Sequence, residues 1–165
     1  MERTDLAARV KTILETGKGE PLPGAAGERY LPLCTLDSGA QVGLDHEARW
    51  LIVPDDGKPA TRWAEESAWL FHEPLEWKRS RFDDALEDAA RTLGLPPEDV
   101  AFHFPAVEVI RAVLSKQASY TTRLALSWIR PTELRELRRD IVAVTKHEDM
   151  PAAIKAFAER LVVPE

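Results

Sequence analysis

The chain has 165 residues, 44% of them hydrophobic, 30% charged and 7% aromatic, with a formal net charge of -6. That length suits one domain with a single core, and that composition excludes fibrous, low-complexity and largely disordered chains. A single cysteine, Cys34, excludes an intramolecular disulfide, and no run of about 18 consecutive apolar residues is present to span a membrane.

Thr4 is placed to cap a first helix, in which Leu6, Val10, Ile13 and Leu14 form one stripe and which Gly17 and Gly19 stop. Residues 17 to 27 hold four Gly and two Pro and read as a loop. Gly19 and Gly24 have the spacing of a phosphate-binding loop. However, Ala25 and Ala26 stand where that loop needs a lysine and a hydroxyl residue, so a linker is expected. Tyr30 to Leu36, Gln41 to Leu44 and Arg49 to Val53 read as a three-stranded antiparallel meander, with Trp50 to Val53 apolar on both faces. Cys34 falls in the first of these strands, where a small buried hydrophobe is the expected role.

Residues 50 to 77 hold four of the five tryptophans, Trp50, Trp63, Trp69 and Trp77, and join a strand-rich part to a helical part. Large aromatic side chains bury roughly 150–250 Å² each, so this stretch is expected to organise the core. Within it, two readings compete for residues 61 to 77. The preferred one is a helical turn over Arg62 to Ala68 followed by an extended piece through Trp69-Leu70-Phe71-His72.

From Ser80 the pattern is helical. Ser80 and Asp83 resemble a capping box ahead of Phe82, Leu86, Ala90 and Leu93, and Gly94 ends the helix. Pro105 suits the first turn of a helix that buries Val107, Ile110 and Leu114. After Ser115 the pattern weakens: that helix either runs on to Ile129 or, as preferred because Ser119 is a good cap, breaks near Ser119 and restarts with Leu124 and Trp128 inward. Pro131-Thr132 begins a helix with the stripe Leu134, Leu137, Ile141 and Val144, and Asp149 caps a last one with Met150, Ile154, Phe157 and Leu161 inward. The expected fold is therefore α+β: a small N-terminal antiparallel meander packed against a mostly helical C-terminal half. One domain is expected, strand-rich over about 28–77 and helical over about 80–163.

Motifs for catalysis are few. Asp83, Asp84, Glu87 and Asp88 place carboxylates at i,i+4 spacing, which suits a magnesium ion bound with a phosphate, but equally a solvated face near a helix N-terminus. His46, His72 and His147 each precede a Glu, yet Trp50, Glu76 and Pro151 stand where the zinc-protease pattern needs its second His. His103, between Phe102 and Phe104, is expected to be a packed or capping ring. No Gly-x-Ser-x-Gly elbow occurs, and nothing beside Cys34 in sequence lowers its pKa.

Charge is segregated: residues 1–77 sum to -6, residues 81–99 to -4 and residues 111–139 to +5. The basic block, which includes Arg135, Arg138 and Arg139, has the character of a phosphate-binding stripe, but an acidic chain without a helix-turn-helix signature disfavours nucleic acid. The leading expectation is a non-enzymatic protein-interaction module, comparable to an immunity factor or a chaperone. Arg135, Arg138, Arg139, Trp63 and Trp69 are its candidate partner-binding residues. The alternatives are an enzyme with a noncontiguous, metal-assisted site at Asp83, Asp84, Glu87 and Asp88, and nucleic-acid binding through residues 111–139. No cofactor is implied; the expected partner is another protein, with a homodimer open. The opening Met1-Glu2-Arg3-Thr4-Asp5 lacks the apolar stretch of a secretory signal, so a cytoplasmic location is expected.

Overall fold

The computed structural model describes residues 3–163; Met1 and Glu2 of the N-terminal stretch lie outside them. The class is α+β, with a five-stranded antiparallel sheet and seven α-helices among the described residues. The chain forms two compact units. One comprises residues up to Ala64 together with Ser80–Phe104, and the other comprises Glu65–Arg79 together with the chain from Pro105. The change from strand to helix near residue 80 is therefore not the boundary between units.

In the first unit, α1 (Arg3–Glu15) buries Leu6, Val10 and Leu14 and leaves Ile13 half-buried. It starts at Arg3, so Thr4 lies inside the helix and is not its cap. Strands β1 (Glu20–Pro21), β2 (Arg29–Thr35), β3 (Gln41–Leu44), β4 (Trp50–Val53) and β5 (Thr61–Arg62) pair in sequence order, each antiparallel to the next. The expected meander is its centre, and two short edge strands extend it. The Gly-rich segment is held in place: the Arg29 guanidinium donates to the carbonyls of Gly17 and Gly19, and Leu22 is buried. Gly19 adopts φ +92°, and a Cβ there would stand 2.5 Å from the Tyr30 carbonyl oxygen.

The β2–β3 register shifts between Pro32 and Cys34. Proline has no N–H to give the ladder, so an irregularity is tolerated here. Opposite it, any side chain at Gly43 would collide with the Leu31 carbonyl. All four β4 residues are buried, as their doubly apolar pattern requires.

Helix α2 (Arg79–Leu93) begins one residue before Ser80, which is therefore not its cap, and it buries Phe82, Leu86 and Ala90 with Leu93 half-buried. Gly94 at φ +73° ends it, and the Leu95 N–H returns to the Ala90 carbonyl at 2.8 Å. The short α3 (Pro97–His103) was not legible in the sequence. Its last residue ties it to the sheet, because Trp50 Nε1 donates to the His103 carbonyl at 2.9 Å. Phe104 meets the rings of Trp50 and Phe82 edge-on, with centroids 5.1 and 4.8 Å away.

In the second unit, Glu65–Phe71 and Glu73–Glu76 are 3₁₀ segments, the first kinked at Ser67. The helical turn expected over Arg62 to Ala68 is present from Glu65, whereas Arg62 belongs to β5, and Trp69, Leu70 and Phe71, expected to be extended, are helical. Helices α4 (Ala106–Ser115) and α5 (Ser119–Trp128) are separate, as expected, although Ser119 does not supply the expected cap. Ser119 is the first residue of α5; Ala118 occupies the cap position and offers no side-chain hydrogen bond. In α4, Ile110 and Leu114 are buried with Val109 and Val113, whereas Val107 is half-buried. Trp128 is buried as expected, with its Nε1 donating to the Trp77 carbonyl at 2.8 Å, and Leu124 is half-buried. Arg79 donates to the Trp128 carbonyl at 2.9 Å and grips Glu133 with both Nη atoms at 2.6 and 2.7 Å.

Pro131–Glu133 forms a single 3₁₀ turn that leads into α6 (Leu134–Lys146), and α7 (Ala152–Val162) follows. Leu137, Ile141 and Val144 are buried while Leu134 is half-buried. Pro151, not Asp149, precedes α7, whose buried residues are Ile154 and Ala158; Phe157 and Leu161 are half-buried. Helix α4 packs on the first 3₁₀ segment, α5 and α6, while α7 packs on α5 and α6.

Candidate functional site

Helix α6 is strongly amphipathic. With Leu137, Ile141 and Val144 buried, a 3.6-residue period puts Arg135, Arg138, Arg139 and Lys146 off that stripe, and all four are exposed. Together with Glu136, Val142 and Ala143 they line one shallow depression of about 580 Å³.

The acids of the same helix do not neutralise these cations. Glu136 and Asp140 are both taken by Arg111 of α4, whose Nη2 lies 3.4 Å from Glu136 and whose Nε lies 3.3 Å from Asp140. Burial alone would depress the Arg111 pKa, but its hydrogen bonds to Asp140 and Glu136 outweigh that and hold it above the ordinary value. Glu133, just before α6, is occupied by Arg79. Among the described residues Arg135, Arg139 and Lys146 have no acid within ion-pair distance, and Arg138 donates only to the Val162 carbonyl, at 3.1 Å. Four positive charges within 12 residues of one helix thus face outward without an acid partner among the described residues, in a chain of net charge -6.

Three of the candidate residues, Arg135, Arg138 and Arg139, are therefore brought together. The two tryptophans are not part of this group. Trp63 belongs to the first unit, half-buried, with its backbone N–H extending the ladder to the Trp50 carbonyl at 2.8 Å. Trp69 lies on the first 3₁₀ segment, 39% exposed, and lines a different recess. Sequence reasoning missed Lys146, although its i+11 spacing from Arg135 was a usable signal. It also missed Arg111 as the residue that removes the acids, for which no local signal exists.

The carboxylates considered for a metal sit on α2. Arg91 engages Glu87 at 3.1 Å and Asp88 at 2.6 Å, while Asp84 is exposed and Asp83 half-buried. Among the described residues no group of three or more His, Cys, Asp or Glu side chains is placed to hold a metal ion. No described helix is long and apolar enough to cross a membrane. Compared with known proteins, the chain matches no family model, no curated protein and no solved structure. What it offers is an α+β fold with a concentrated basic face on one helix.

Proposed function

We propose that the chain is a protein-interaction module whose docking surface is the outward face of α6 and whose partner presents an acidic segment. The observation that carries this reading is the set Arg135, Arg138, Arg139 and Lys146, which has no acid within ion-pair distance among the described residues because Arg111 and Arg79 engage the neighbouring acids. Arginine favours planar, two-pronged contact with carboxylates, and the apolar strip of Val142 and Ala143 between the cations gives side chains of a protein partner a surface to cover. The stripe runs only about 16 Å along the helix at 1.5 Å per residue, and the chain as a whole is acidic. Both features favour a short acidic protein segment over an extended nucleic-acid backbone.

The test is affinity capture from nuclease-treated lysate of the native host, with the wild-type chain and with a variant carrying Arg135→Glu, Arg138→Glu and Arg139→Glu. The expected result is a partner retained by the wild type, released by salt and absent from the variant, whose circular dichroism and melting are unchanged. Identical captured proteins from a folded variant would refute the assignment.

A further inference from the structure

A second surface of the same unit has a different chemistry. Trp69, His72, Val113, Lys116, Ala118 and Thr121 enclose an open recess of about 300 Å³, mostly apolar in its lining and with no carboxylate among the residues that form it. The first 3₁₀ segment supplies Trp69, and the end of α4 and the start of α5 supply the rest apart from His72. Trp69 is 39% exposed and its neighbour Leu70 37% exposed. Exposed side chains of this size, grouped beside a concavity, mark a binding surface more often than a solvated one.

The polar side chains are few: Lys116, His72 and Thr121, the last with its Oγ1 donating to the Ala118 carbonyl at 3.3 Å. Lys116 Nζ stands 4.6 Å from the centre of the Trp69 ring and has no acid within ion-pair distance among the described residues. A ring face satisfies the charge of an ammonium but none of its three N–H donors, so these stay available to an anion. His72 Nδ1 makes a hydrogen bond at 3.0 Å to the Trp69 carbonyl, which can only accept, so Nδ1 carries the proton and the bond ties the imidazole to the Trp69 backbone. Val113 is buried and forms an apolar side of the recess. The space is about that of ten liquid waters, enough for a bicyclic ring or a medium acyl chain.

We propose that this recess binds a small apolar monocarboxylate, its hydrophobic body against Trp69, Val113 and Ala118 and its carboxylate on Lys116. The site is independent of the basic face of α6 and shares none of its residues.

Isothermal titration of the full chain with 2-naphthoate and with its neutral twin, 2-naphthamide, tests the assignment. 2-Naphthoate is expected to bind with a sub-millimolar Kd and the amide about tenfold more weakly, the difference that one charge-assisted hydrogen bond makes. Lys116→Met should bring 2-naphthoate to the level of the amide while leaving the amide unchanged, and Ala118→Trp should remove both by filling the recess. Both positions are exposed, so both variants are expected to keep the wild-type melting temperature. Equal affinity for the two compounds overturns the proposal, as does 2-naphthoate binding that survives either variant or the absence of binding at millimolar concentration. Tighter binding of the peptide Ala-Ala-Trp with a free terminal carboxylate would assign the recess to a chain terminus and overturn the small-molecule reading.

Discussion

Asp45 is a fully buried acid at the turn between β3 and β4, and replacing it tests how the first unit is held. Its Oδ1 accepts the backbone N–H groups of Glu47 and Arg49, each at 2.9 Å, and its Oδ2 accepts Arg49 Nε at 3.0 Å and Arg62 Nη1 at 3.3 Å. The turn needs this support, since Ala48 adopts φ +54°. Asp45→Asn keeps the shape and the Oδ1 acceptor but turns an amide NH₂ toward two guanidinium donors. Two charge-assisted hydrogen bonds are lost, each worth ~1.5–3 kcal/mol. The Arg49 and Arg62 side chains are 38% and 32% exposed, so water replaces part of what is lost. The expected cost is about 2–3 kcal/mol. Asp45→Ala also strands the two backbone donors and should cost about 4–5 kcal/mol. Glu28→Gln, at the more exposed end of Arg62, should cost no more than about 1 kcal/mol. Urea unfolding with amide exchange read at β3 and β4 isolates the unit that holds Asp45. A cost below about 0.5 kcal/mol for Asp45→Asn would show that the carboxylate charge is not what secures the turn.

In the second unit, Leu137 is 0% exposed at the centre of the α6 stripe, so Leu137→Ala should destabilise by about 2–5 kcal/mol in a denaturant titration. Gln117 is exposed at φ +57°, a conformation glycine adopts without strain; Gln117→Gly should raise stability by about 1 kcal/mol, read as a higher melting temperature. Burial pushes the Cys34 thiol up from 9.0 to about 12, against a smaller lowering from its hydrogen bond with the Val42 backbone. The folded chain then holds this proton more tightly than the unfolded one. That stabilisation is complete below about pH 9 and is lost as pH rises toward about 12. Cys34→Ala should flatten that part of the alkaline unfolding curve, and thiol reagents should modify native Cys34 far more slowly than the urea-unfolded chain.

Local periodicity carried the features that depend on neighbours within a turn or two. Phe82, Leu86 and Ala90 recur at helical spacing and are buried together, and so do Leu137, Ile141 and Val144. The strand cores at 29–53 followed from apolar runs between turn residues, and the interruption before Ser119 was read from the weakening of the stripe and from Ser119 as a cap, a role that Ser119 does not take. Two-residue strands such as Thr61–Arg62 have no alternation to read and exist only because β4 supplies hydrogen-bond partners. The helical state of residues 69–71 was hidden because an aromatic run fits a strand and a packed 3₁₀ turn equally well, and packing on α4 decided between them. The candidate site divides in the same way. The sequence itself put Arg135, Arg138 and Arg139 on one face of a helix, but whether that face stayed charged depended on Arg111, 25 residues before Glu136 and 29 before Asp140. A pairing over that distance has no signature in local spacing: it is decided only when α4 and α6 pack side by side and one guanidinium reaches both acids.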